Sequence, residues 1–280
     1  MWIWMALASA VLLGVYDVAK KSALRNNNIY SILLVATALS ALFVSPFITA
    51  GTLSGHLRLI LKALLVTASW VSGMYALELL PITTVSTFKT SRPMFVVLFS
   101  IILYGERLNW MQWAGVAAVL LALWLLSVSS EREGISFKGN KGFWALLISV
   151  VTGVASALYD KRIMTGMQPL FVQSWTNIYI TLILAVLTLL NRKREGVKPF
   201  RWDWTLLLIA VTITGADMLY FFSLKAEGSM LSVISLIRRS SVIITFVLGA
   251  ILFREKRIAQ KSGVLALMLA GVALLMAGSL

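Results

Sequence analysis

The sequence predicts an all-α integral membrane protein in which ten transmembrane helices form two inverted repeats of five. Three observations predict this class: the composition, the number of long apolar runs and an internal repeat. Of the 280 residues, 59% are hydrophobic and 13% are charged, and the mean hydropathy is +0.89. Soluble domains are only ~45–50% apolar, so we place this chain in a lipid bilayer.

Long apolar runs follow one another along the whole chain. A membrane-spanning helix needs about 20 such residues. The predicted spans are 2–20, 29–50, 57–78, 82–104, 110–128, 143–163, 169–190, 205–226, 229–253 and 261–280. The first run lacks a basic leading region and a small-residue cleavage site, so we interpret it as a span rather than a signal peptide. The remaining stretches are short, which excludes a large domain outside the membrane.

Polar residues within the apolar runs repeat between the two halves. A shift of 149 residues relates the fourth and ninth runs, placing Lys89, Ser91 and Glu106 on Arg238, Ser240 and Glu255. A shift of 143 residues relates the first and sixth runs, placing Tyr16 and Asp17 on Tyr159 and Asp160. Such matches predict two structural repeats.

The repeats divide the chain near its middle. We predict a first five-helix repeat at 1–128, a connecting loop at 129–142 and a second five-helix repeat at 143–280. Because five is odd, the second repeat enters the membrane from the opposite side to the first. Inverted repeats of this kind are common in secondary transporters, where a site near the membrane midplane faces each side in turn.

The charge and the rare residue types restrict the function. The net charge is +14, from 25 Lys and Arg against 11 Asp and Glu. In a membrane protein such an excess marks cytoplasmic loops rather than nucleic-acid binding. Most of these cations follow odd-numbered spans, so we predict that both termini lie outside the cytoplasm. With no Cys and one His, we expect no disulfide, no metal site, no cofactor and no enzymatic activity.

Two matching segments carry a family resemblance. Leu103-Tyr-Gly-Glu-Arg-Leu precedes Trp113-Ala-Gly, and Leu252-Phe-Arg-Glu-Lys-Arg with Gly263 repeats this pattern in the second half. The arrangement resembles EamA-type members of the drug/metabolite transporter superfamily over essentially the whole chain. The resemblance implies a ten-helix carrier with a central cavity, in bacteria usually an exporter of metabolites in the inner membrane. It does not specify the substrate.

Four cations lie well inside predicted spans, away from the span ends, and a charge costs at least ~2.5–3.5 kcal/mol at a helix centre. They are Lys89, Arg92, Arg238 and Arg239. Lys89 and Arg92 share a helix face, and Pro93 lacks an N–H, so the helix is expected to open there. The cations either pair with Asp217, Glu227 and backbone carbonyls to fasten helices, or bind a substrate. Acids are too few within the spans to neutralise all four, which favours an anionic substrate.

A second resemblance supports an anion. The plastid triose-phosphate translocators of the same superfamily hold phosphate with a Lys in span 4 and a Lys-Arg pair in span 9. Lys89 and the Arg238-Arg239 pair match these in residue type and repeat position. Arg replaces the first Lys of the pair, and Arg92 is additional. The resemblance therefore implies an organic anion more firmly than a sugar phosphate.

The acids and aromatic residues complete the candidate site. Asp217 is either a counter-ion of Arg238 or Arg239 or a proton carrier, and we favour the counter-ion. Asp17 and Asp160 are possible coupling residues, although Asp17 could instead pair with Lys21 on the same helix face. The aromatic residues that either line a cavity or serve as packing and interface anchors are Trp70, Tyr75, Tyr179 and Tyr220.

The leading interpretation is a secondary carrier that exports or exchanges a small organic anion, phosphorylated or carboxylate, in the plasma membrane. One alternative is a proton-coupled exporter of amino acids or amphipathic drugs, in which the acids act and the cations are struts. An alternative of another class is a flippase for a lipid-linked phosphate. The expected partners are a small-molecule substrate and the bilayer, without nucleic acid, and we expect a monomer or a weak homodimer.

Overall fold

The computed structural model describes residues 2–95, 99, 108–131, 139–164, 167–191, 199–225, 237–255 and 258–278, apart from a few side chains within these ranges. These residues contain no β-strand. The helices are α1 (Trp2–Ala23), α2 (Ile29–Val44), α3 (Leu53–Leu79), α4 (Ile82–Lys89), α5 (Trp110–Glu131), α6 (Lys141–Met164), α7 (Pro169–Asn191), α8 (Trp204–Lys225), α9 (Ser241–Phe253) and α10 (Ile258–Ala277). A short 3₁₀ turn, Ser45–Phe47, follows α2.

Six helices in the described part of the chain are long and apolar enough to cross a membrane: α1, α2 with its 3₁₀ turn, α3, α5, α7 and α10. Helices α6 and α8 are apolar over the shorter stretches Lys141–Ser156 and Trp204–Tyr220. The all-helical, multi-pass class predicted from the composition is therefore present. The number of ten transmembrane helices stays a prediction.

The helices pack in pairs that exchange between the two halves. Helix α3 packs along α6, and α1 packs along α8. The repeat relates α1 to α6 and α3 to α8, so the α3–α6 pair corresponds to the α8–α1 pair. The pairs α2–α7 and α5–α10 each join two helices that the repeat relates to each other. Glycines allow the closest approach, since a Cβ on Gly115 of α5 would lie 2.7 Å from the carbonyl oxygen of Gly271 in α10. Small residues commonly permit such contacts in membranes.

Helices α4 and α9 border breaks at equivalent positions of the repeat. Helix α4 ends at Lys89 and α9 begins at Ser241. At the first break the Ser91 amide and hydroxyl both donate to the Phe88 carbonyl, at 3.0 and 2.7 Å. At the second, the Ser240 amide and hydroxyl donate to the Ile237 carbonyl, at 3.0 and 2.6 Å. These bonds compete with the α-helical ladder, so a serine contributes to each break.

Pro93 contributes to the first break only. It cannot supply the N–H that would continue the helix, and its counterpart in the second repeat is Val242. The opening that Pro93 predicts is therefore present, but its cause is shared with the second repeat. In transporters, interrupted helices of this kind surround the substrate site.

Contacts between connecting segments define one end of the helix bundle, which we call the odd side because its segments follow odd-numbered helices. The α7–α8 segment meets the α1–α2 segment, where the Arg201 amide donates to Asn27 Oδ1 at 2.8 Å. Near the same end, the Lys21 ammonium donates to the carbonyls of Leu77 and Leu80. The opposite end, called the even side, carries the α2–α3 and α6–α7 segments.

Candidate functional site

The breaks beside α4 and α9 border a cavity of about 380 Å³, called here the inner chamber. Its wall comes from α1, α2, α3, α8 and the two broken segments. Five cations line it: Lys20, Lys89, Arg92, Arg238 and Arg239. All four intramembrane cations predicted from the sequence thus line one cavity, together with Asp17, Trp70 and Tyr220.

The positive charge of the inner chamber is only partly neutralised. Lys20 Nζ lies 2.6 Å from Asp17 Oδ1, and an Arg238 Nη lies 2.7 Å from Asp217 Oδ1. Among the described residues, neither Lys89 nor Arg239 forms an ion pair. Counted over the described residues, five cations against these two carboxylates leave an excess of three positive charges.

Arg92 is held by a pair of serines between α3 and α6. Ser69 Oγ donates to the Ser149 carbonyl at 2.8 Å, and Ser149 Oγ donates back to the Ser69 carbonyl at 2.7 Å. The Arg92 guanidinium donates to Ser69 Oγ at 3.4 Å and to the Ser149 carbonyl at 3.3 Å. The serines therefore orient Arg92 without neutralising its charge.

Two glycines leave the space that the cations of α4 and its break occupy. A Cβ on Gly153 would lie 3.0 Å from the guanidinium carbon of Arg92, and a Cβ on Gly73 would lie 3.2 Å from Lys89 Nζ. Both distances are tighter than ordinary van der Waals contact. The sequence indicates these glycines only as helix-packing residues, so their part in seating the cations is apparent from the structure alone.

Aromatic rings cover two of the cations. The Arg238 guanidinium lies 4.2 Å from the centroid of the Tyr220 ring, and Lys20 Nζ lies 3.9 Å from that of Tyr16. Cation–π contacts of this kind are worth ~0.5–2 kcal/mol. They stabilise the cations without reducing the net charge of the chamber.

A second cavity of about 540 Å³, the outer chamber, adjoins the first. The two share the wall residues Tyr16, Leu33, Trp70, Ile213, Tyr220 and Arg238. Beyond them the outer chamber is lined by Ser40 late in α2, Lys62 early in α3 and Gln173 early in α7. These residues lie toward the α2–α3 and α6–α7 segments, so the outer chamber extends from the inner one toward the even side.

The sequence of the chain matches the model of the EamA-like transporter family twice, over residues 1–128 and 140–277. The chain belongs to this family. One protein with a solved crystal structure has a similar fold. The match covers 98% of this transporter and 97% of the chain in that crystal structure, with 15% sequence identity and a TM-score of 0.64. That likeness shows the shared fold alone. No curated protein matches the transporter in sequence.

Several expectations about the site need correction. Asp17 pairs with Lys20 rather than Lys21, because Lys21 reaches the carbonyls that end α3. Lys20, the last residue of the first predicted span, is a buried residue of α1. Its position one turn beyond Asp17 was the signal for this pair.

Two of the candidate aromatic residues lie away from both chambers. Tyr75 lies outside both chambers, in a groove where its ring meets that of Tyr30 edge-on at 6.5 Å. Tyr179 forms a hydrogen bond with His56 at 2.8 Å and lines neither chamber. The side chain of Asp160 lies outside the described part of the chain, as do Glu106 and Glu227.

Contacts of Glu255 join two helix ends on the odd side of the transporter. The Glu255 carboxylate accepts hydrogen bonds from the Ile82 amide at 2.7 Å, the Thr83 amide at 3.2 Å and the Thr83 hydroxyl. It lies 3.9 Å from Lys261 Nζ, which is fully buried. A carboxylate at a helix N-terminus is stabilised by the helix dipole. Glu255 therefore fastens the α9–α10 segment to the start of α4.

Proposed function

We propose that this transporter carries a small organic anion, phosphorylated or carboxylate, in the inner chamber. The observation that supports the proposal most directly is the excess of three positive charges that the described residues place around one cavity. Unpaired charges are costly inside a membrane protein. A bound anion would offset that cost, and it would explain why the cations lie together.

The cations offer two kinds of contact to an anion. Arg92 and Arg238 are already oriented, by the serine pair and by Asp217, and their buried Nε atoms lack an acceptor in the described structure. An Arg fork suits carboxylate and phosphate oxygens, and Lys supplies a compact charge. Lys89 and Arg239, which form no ion pair among the described residues, are the proposed primary ligands.

The Glu255 contacts on the odd side and the extension of the outer chamber toward the even side suggest how access alternates. We propose that the two repeats rock around the inner chamber, so that the Glu255 contacts with α4 break when the odd side opens. The excess of basic residues marks the odd side as cytoplasmic. The structure would then represent a state whose path leads away from the cytoplasm, as an exporter or exchanger adopts when it releases its substrate.

Proton coupling through Asp217 is the weaker candidate. A carrier carboxylate must lose its cationic partner for part of the cycle, whereas Asp217 accepts a hydrogen bond from Arg238 at 2.7 Å. The contact supports the counter-ion role, which stays a prediction.

Thermal unfolding of the purified transporter tests the proposal. Phosphorylated metabolites, carboxylates, amino acids and cationic drugs are screened at millimolar concentration, because a ligand stabilises by about 2.7 kcal/mol at 100 times its Kd. An organic anion should raise the Tm of the wild type. Lys89→Gln and Arg239→Gln should lose that rise while the unliganded Tm is unchanged or higher, since each removes an unpaired charge.

The matched control is Arg58→Gln, because Arg58 is an exposed cation of α3 that lines neither chamber. It should keep the full anion effect. Stabilisation by cationic drugs alone, or full anion stabilisation of both chamber variants, would contradict the proposal. A lower unliganded Tm for both variants would instead identify the cations as struts.

A further inference from the structure

The outer chamber carries an unusual set of neutral polar groups. Four buried side-chain atoms along its wall have no hydrogen-bond partner in the described structure: Ser40 Oγ, Gln173 Oε1, Thr176 Oγ1 and Thr214 Oγ1. Ser40, Thr176 and Thr214 are only 5%, 4% and 6% exposed. Buried polar groups are nearly always satisfied, so four unpaired ones around one cavity call for a partner.

Two other threonines on the same helices behave differently. Thr212 of α8 donates to the Leu208 carbonyl at 2.6 Å, and Thr181 of α7 donates to the Asn177 carbonyl at 2.8 Å. Threonine in a helix normally satisfies itself in this way. Thr176 and Thr214, on the chamber wall, do not. A χ1 rotation would turn either hydroxyl toward a bound molecule.

We infer that the transported anion has an uncharged body rich in hydroxyl or amide groups, which the outer chamber binds while the inner chamber holds the charged head. This inference rests on the proposed function and adds the chemistry of the rest of the substrate. Arg238 lines both chambers. A charged head bound to Arg238 in the inner chamber would therefore place the rest of the substrate in the outer chamber. Apolar wall residues such as Val66 and Ile209 would contact its carbon atoms.

Substrates that share a charged head but differ in the body should differ in affinity. A hydrocarbon body would leave the four polar atoms unpaired, whereas a polyhydroxylated or amide-bearing body would satisfy them. Each neutral hydrogen bond is expected to change affinity about two- to tenfold. A hydroxylated ligand should therefore bind at least about tenfold more tightly than a hydrocarbon ligand of similar length.

Matched probes test this preference by thermal-shift titration of the purified transporter. Glucose 6-phosphate is compared with hexyl phosphate and inorganic phosphate, and gluconate is compared with hexanoate. The preference can then be measured whether the inner chamber binds phosphate or carboxylate. The hydroxylated member of whichever series binds should be the tighter ligand. Equal or tighter binding of hexyl phosphate and hexanoate would overturn the inference and leave the proposed anion carrier intact. Failure of every anion to bind would overturn both.

Valine variants separate ligand binding from folding, since valine has nearly the shape of threonine. Thr176→Val and Thr214→Val remove an unpaired hydroxyl, so the unliganded Tm should be unchanged or higher. Each should reduce the preference for the hydroxylated probe about two- to tenfold without changing the affinity for the bare head group. Thr212→Val is the matched control and should keep the preference. An unchanged preference in the Thr176→Val Thr214→Val double variant would contradict the inference.

Discussion

The contact between Asp217 and Arg238 gives the most specific prediction about stability. Their side chains are 32% and 19% exposed, and the two charged atoms lie 2.7 Å apart. Breaking a fully buried pair costs ~3–5 kcal/mol, and an exposed pair contributes ~0.2–1 kcal/mol. For Asp217→Asn, which keeps the size of the side chain but removes its charge, we expect an intermediate loss of about 1–3 kcal/mol.

The assay is thermal unfolding in detergent at neutral pH. A protein of this size loses ~2–4 °C of Tm per kcal/mol, so the predicted drop is several degrees. A companion Arg238→Gln change should restore part of it, because the double variant leaves no unpaired charge at this contact. The coupling between the two changes should be about 0.5–3 kcal/mol. An unchanged Tm in Asp217→Asn, together with selective loss of pH-driven transport, would refute the counter-ion role.

Three further predictions concern other parts of the transporter. Gly153→Ala should displace the nearby guanidinium and weaken anion binding, whereas Gly263→Ala, with nothing within 4 Å, should not; equal anion affinities would refute this seating role. Glu255→Ala should make the cysteine of a Ser241→Cys variant react faster with a thiol reagent added on the odd side, and this cysteine is the only one because the chain has no native Cys. Unchanged labelling in sealed vesicles would contradict the proposal that the Glu255 contacts restrict access from the odd side. At Asp203, a backbone hydrogen bond from Thr205 in the first turn of α8 lowers the carboxyl pKa below its ordinary value of 3.8. The ionised carboxylate therefore stabilises the folded protein fully above pH 3.8, and this contribution is lost as the pH falls through the folded-state pKa. Asp203→Asn should therefore lower the Tm at neutral pH but not in strong acid, and an equal loss at both would exclude the carboxylate effect.

The sequence was most informative where chemistry contrasts with its surroundings. Lys89 and Arg238 stand out because charged residues are rare and costly inside apolar spans. Their equivalence under the repeat predicted that both approach one site, and both line the inner chamber. The same contrast identified Asp217, whose contact with Arg238 is present in the structure.

The sequence was less informative about residues whose role depends on packing between distant helices. Ser69 and Ser149 are 80 residues apart, and nothing local to either indicates that together they hold Arg92. Gly73 looks like any small residue at a helix contact. Tyr75 and Trp70 lie on one helix, about 140° apart around its axis. Only the packing of the neighbouring helices decides that Trp70 faces the inner chamber and Tyr75 does not.

Transport by the purified protein tests the central claim most directly. The anion that most stabilises the wild type is loaded into proteoliposomes, and uptake of the same radiolabelled anion is measured for wild type, Lys89→Gln and the exposed-cation control Arg58→Gln. We predict uptake by the wild type and by the control, with loss of uptake in Lys89→Gln despite a folded, monodisperse protein. Full uptake by Lys89→Gln would contradict the claim that the cations of the inner chamber bind the transported anion.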